Sequence, residues 1–115
     1  MLHEEKKITK IIEELTIFFF SIGGNDITSR IQCKERSGMI TFRSNFKPEY
    51  EYKLDYVEKH LLNYRGVEVE DIYWELAGSG DPGETSQLLL IGMMVDNAEM
   101  IREDGYVTIK LEKSI

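Results

Sequence analysis

"LTIFFFSIGGNDI", residues 15–27, is where the chain changes its structural period. Upstream of it, Ile8, Ile11, Ile12, Leu15, Phe18, Phe19 and Ile22 recur at three- and four-residue intervals. That is the apolar stripe of an amphipathic helix over residues 4–22. Downstream, Ile27, Ser29, Ile31 and Cys33 alternate with Thr28, Arg30, Gln32 and Lys34, the two-residue period of a strand with one face turned inward. Gly23-Gly24 stands between the two patterns as a helix stop, glycine supplying the left-handed cap. The apolar run is far shorter than the roughly 20 residues a membrane-spanning helix needs. The stretch is therefore a packed helix end turning into a strand. Ile17 and Phe20 fall off the main stripe and form a second apolar face, a candidate surface for a partner.

After "KERSG" the alternation resumes at Ile40, Phe42, Ser44 and Phe46, so residues 26–46 read as a β-hairpin. Cys33 lies on its inward register and is expected to be a small buried hydrophobe rather than a reactive thiol. Lys47-Pro48 opens a second helix, proline being favoured in a first turn. Tyr50, Leu54, Val57, Leu61 and Tyr64 supply its stripe, and Arg65-Gly66 ends it. A short helix is expected through Ile72–Ala77, closed by Gly78. "QLLLIGMMVDNAEMI" is apolar almost all round and reads as a buried helix, with a buried strand over residues 88–95 as the alternative. Asp104-Gly105 turns the chain into a closing strand, "YVTIKLEK", with Val107, Ile109 and Leu111 inward. The expected order is α-β-β-α-α-α-β. It gives a single α+β domain over residues 1–115, a two-layer sandwich of about three antiparallel strands with helices on one face.

The bulk numbers fit that class. A chain of 115 residues with 42% hydrophobic and 30% charged residues is sized and composed as one globular domain. Its formal net charge of -7 repels a phosphate backbone and an anionic lipid surface alike. Neither nucleic acid nor membrane is expected as a partner. One cysteine allows no internal disulfide, and no Cys/His zinc spacing occurs. With no signal-peptide pattern in "MLHEEKKITK", a cytoplasmic location is expected.

The glycine-rich loop "GSGDPGETS" has the GxxxxG spacing of a phosphate cradle, but Glu84 stands where a P-loop needs lysine, and a carboxylate there repels phosphate. Asp81-Pro82-Gly83-Glu84 reads instead as a capping box, with Asp at the N-cap, Pro in the first turn and Glu at N3. If a ligand binds here, Gly78, Gly80, Asp81, Gly83, Glu84 and Thr85 are the residues that would hold it. The carboxylates Glu68, Glu70, Asp71, Glu75, Asp96 and Glu99 have no EF-hand spacing and read as a solvated acidic face. Tyr73 and Trp74 are a further candidate interface, since adjacent aromatics anchor partners as readily as cores. His60 lies on the second helix with nothing flanking it that demands a phosphoacceptor. No Ser/His/Asp or Cys/His constellation can be assembled, and no catalytic residue, metal ligand or cofactor is assigned.

The order of pieces resembles, in outline, the ATP-binding domain of histidine kinases and anti-sigma-factor kinases, the GHKL superfamily. The likeness is carried by "IIEELTIFFFSIGGNDITSRIQCKERSGMITFRSN" and "GETSQLLLIGMMVDNAEMIREDGYVTIKLEK". Glu13 and Glu14 stand where that family has a Glu before its magnesium-binding Asn, but the following turn is Phe18-Phe19-Phe20. "FRSNFKPEY" has no Asp-x-Gly-x-Gly box, and residues 83–92 have no glycine-rich lid. The resemblance thus implies a truncated domain that has lost ATP. Together these readings point to a small non-catalytic regulatory or protein-interaction domain, partnered by another protein or by a second copy of itself. A nucleotide- or small-ligand-binding protein using the Gly78–Thr85 loop is the alternative. An enzyme using Asp81, Glu84 and Glu75 as acid/base groups is the second alternative.

Overall fold

The computed structural model describes residues 3–63 and 95–114. Helix α1 (His3–Ser21) leads into strands β1 (Ile27–Lys34) and β2 (Ser37–Asn45). A 3₁₀ turn (Pro48–Tyr50) then opens α2 (Glu51–Asn63), and the described chain closes with β3 (Asn97–Glu103) and β4 (Tyr106–Ser114). The strands form one antiparallel sheet in the order β1-β2-β4-β3. Both helices lie on the same face of it, α1 over β2 and α2 over β3. This is the expected α+β two-layer arrangement.

The opening stretch does what its residues require. Ile8, Ile11, Leu15, Phe18, Phe19 and Ile22 are all buried. Phe19 stacks on Phe42 of β2 at 5.4 Å between centroids and meets Phe18 edge-on at 5.2 Å. The helix then ends in a Schellman motif: the Gly24 amide donates to the Phe19 carbonyl at 2.8 Å and the Gly23 amide to the Phe20 carbonyl at 3.2 Å. The two glycines serve different ends. Gly23 adopts φ 87°, the left-handed region. Gly24 lies so close to the end of β2 that a Cβ there would stand 2.6 Å from Ser44 Oγ and 2.9 Å from the Asn45 carbonyl. Beyond them, Asn45 Oδ1 accepts from the Asn25 and Asp26 amides at 2.8 and 3.0 Å, and its Nδ2 donates to Asn25 Oδ1 at 2.7 Å. The Lys47 amide donates to the Ile22 carbonyl at 3.0 Å. One knot of hydrogen bonds therefore ties the end of α1 to the end of the hairpin and the entry to α2.

Two expectations need correction. The helix expected over "QLLLIGMMVDNAEMI" does not extend through its end: Asn97–Glu103 is the edge strand β3, paired to β4 in the register Met100↔Ile109. Among the described residues the sheet accordingly has four strands. Asp104 and Gly105, at φ 54° and 79°, make the tight turn of that hairpin. Cys33, expected to be buried, is exposed. It lies beside Gly38 on the helix-bearing face, as the alternation predicts, but among the described residues no helix covers that end of β1. The short helix expected at Ile72–Ala77, the Gly78–Thr85 loop and residues 88–94 lie outside the described residues.

A candidate interaction edge

Of the residues singled out from sequence, Gly78, Gly80, Asp81, Gly83, Glu84, Thr85, Tyr73 and Trp74 lie outside the described residues. Ile17 and Phe20 are where the helical period places them, 40% and 64% exposed on the side of α1 away from the sheet. Among the described residues, no group of three or more His, Cys, Asp and Glu side chains is arranged to hold a metal ion.

On the side of the sheet opposite the two helices, Arg43, Tyr106 and Asp26 engage one another. Arg43 lies 3.8 Å over the Tyr106 ring, and the Tyr106 hydroxyl donates to Asp26 Oδ2 at 2.6 Å. That hydrogen bond is the main reason the Tyr106 phenol titrates above its ordinary range. Arg43, Tyr106, Thr108 and Ile101 line a shallow hollow of about 290 Å³ rimmed by Glu103 and Asp104. No cysteine or histidine is among the described residues that line it.

Arg102, by contrast, points to the helix side. It meets Glu51, Asp55 and Glu58 of α2 at 3.1, 2.8 and 2.8 Å. Partial burial works against its charge, but the three carboxylates outweigh that and raise its pKa. The cluster fastens α2 over β3. Asp96 closes the other end of that hairpin by accepting from the Ser114 amide at 2.7 Å, and the bonds to Ser114 hold its carboxyl below the usual range. These acidic groups are structural fasteners.

Strand β1 differs from the rest of the sheet. Among the described residues it lies at the sheet's edge, and every residue of it after Ile27 is exposed. Its inward row, Ser29, Ile31 and Cys33, sits beside Phe42, Ile40 and Gly38 of β2. Phe42, Ile40 and Gly38 are buried, yet Ile31 is 48% exposed. Helix α1 lies mainly over β2 and leaves this row exposed. The hairpin turn also decides which backbone groups are open. Lys34 and Ser37 flank the turn at Glu35-Arg36 and so form its hydrogen-bonded closing pair. Alternation along an antiparallel ladder then aims the N–H and C=O groups of Thr28, Arg30 and Gln32 at β2, and those of Ile27, Ser29, Ile31 and Cys33 away from it. The row with open backbone groups is the same row whose side chains lack a roof. Alternation in the sequence marks the row; that the described helices leave it exposed is not written in that alternation.

Compared with protein-family models, curated proteins and solved structures, the chain matches none of them.

Proposed function

We propose that this chain is a non-catalytic interaction domain that holds a partner protein at strand β1. What supports the reading is the coincidence just described: an eight-residue strand at the sheet edge, with open backbone groups and a half-exposed isoleucine in its inward row. Sheet edges of this kind accept an extended segment as an added strand, the main chain giving affinity and alternate side chains giving selectivity. The exposed Ile17–Phe20 face of α1 is a separate, smaller apolar surface and takes second place. In the same reading the kinase-like outline is architecture without nucleotide chemistry, and ATP with Mg²⁺ leaves the melting temperature unchanged.

Photo-crosslinking in cells tests the reading. A benzoylphenylalanine is placed at Ile31, at Phe20 or at the exposed Tyr52 of α2 in the full chain. The expected result is a discrete protein adduct from position 31 and none from position 52. Adducts from position 20 with none from 31 would move the interface to α1 and overturn the assignment to β1.

A further inference from the structure

We propose that the partner segment at β1 is an extended strand of another protein in which apolar residues alternate with acidic ones. This rests on the reading above and specifies the chemistry of what binds there. The chain as a whole carries a formal charge of -7, but the β1 edge is locally basic. Arg30, Lys34 and the turn residue Arg36 are all exposed, with Glu35 as the one carboxylate among them. No described carboxylate is paired with any of the three basic groups. Arg30 and Lys34 belong to the outward row, two residues either side of Gln32. An added strand would pack its inward side chains along Ile31 and set its outward ones opposite Arg30 and Lys34. Apolar residues suit the first row and carboxylates the second, opposite charges across a strand pair being favourable.

The same charges argue against a second copy of β1 as the occupant. A two-fold antiparallel pairing must place outward residues opposite outward residues. If Arg30 faces Arg30 or Lys34 of the copy, like charges meet directly. If it faces Gln32, then Arg30 and Lys34 of the copy are both its diagonal neighbours, roughly 7–8 Å away. If it faces Thr28, Arg30 of the copy is diagonal to it. No register with substantial overlap removes the repulsion. A basic edge thus selects against itself and for an acidic strand.

The test uses the full chain and two end-blocked eight-residue peptides, one alternating valine with glutamate, the other valine with lysine. Binding is read by NMR shifts and amide exchange at β1. The acidic peptide should bind, protect the Ser29, Ile31 and Cys33 amides, and weaken with added salt. The lysine peptide should bind at least about tenfold more weakly, since several cross-strand pairs reverse sign together. R30E/K34E should invert the preference without unfolding the chain, both side chains being exposed. Equal binding of both peptides, or protection at sites other than β1, overturns the charge assignment. So does a concentration-dependent dimer whose contacts map to β1. Outside the described residues the chain carries a matching alternation of its own, Val67-Glu68-Val69-Glu70. If E68K/E70K is needed before the acidic peptide binds at all, the occupant is the chain itself and the proposal of another protein fails. A β1 crosslink in cells with no peptide discrimination would leave the interaction reading standing and remove only the acidic partner.

Discussion

The two edge strands of the sheet are treated in opposite ways. On the helix side, β3 presents Ala98, Met100 and Arg102, and β1 presents Ile27, Ser29, Ile31 and Cys33. By composition β1 is no less apolar. Yet Met100 is buried and Ala98 packs against the core, while Ile31 stays half exposed. The difference is the roof. Helix α2 is fastened over β3 by Arg102 and three carboxylates, and β1 has no such fastening among the described residues. Burial of an edge strand is therefore set by what is pinned above it, and its own alternation only chooses the face.

Truncating the two inward rows gives the largest contrast. Met100→Ala should cost about 2–4 kcal/mol as a buried large-to-small change, and Ile31→Ala less than about 1 kcal/mol. Urea denaturation of both variants checks this. Equal losses would mean that β1 is as well packed as β3. Gly24→Ala should cost about 1–3 kcal/mol, because the new methyl must displace the end of β2 or of α1. Its denaturation midpoint should fall with little change in slope. Arg102→Ala should cost roughly 1 kcal/mol at low salt and less at high salt, its partners being mostly exposed and screened. The measurable consequence is faster amide exchange along β3, with β1 unaffected.

Acid should loosen two other fastenings. The Glu4 carboxyl is held down by hydrogen bonds to Lys113 and Lys7, and Asp96 by those to Ser114. Both folded pKa values lie below the unfolded ones, so their contribution is complete above the ordinary values of 4.5 and 3.8 and disappears as pH falls through the lowered ones. A thermal melt series from pH 6 downward should show the decline beginning near pH 4.5, and E4Q/D96N should flatten it. The smallest effect is expected at the β1 turn. Glu35 sits at φ 46°, a conformation asparagine tolerates better, so Glu35→Asn should stabilise by about 0.5 kcal/mol.

Much of this architecture was legible in the residues, for identifiable reasons. Helix α1 and the first hairpin each carry one clean period, with Gly23-Gly24 marking the change between them. The edge strand β3 was missed because a long apolar run leads into it. Arg102 also occupies an inward position where an apolar residue would have completed the alternation. The signal that could have found β3 was Asp104-Gly105, a pair favoured in two-residue hairpin turns, which require a strand on both sides. Exposure of Cys33 was not legible at all, since it depends on where α1 stops across the sheet and not on the period of β1. The loop Gly78–Thr85 and the aromatic pair Tyr73-Trp74 lie outside the described residues.

Amide exchange of the free, unlabelled chain tests the open edge most directly. If β1 is unpaired on its outer side, protection should alternate: Thr28, Arg30 and Gln32 slow, Ser29, Ile31 and Cys33 close to unprotected rates. Uniform protection along β1 would contradict the account, because it would mean the edge is already occupied before any partner arrives.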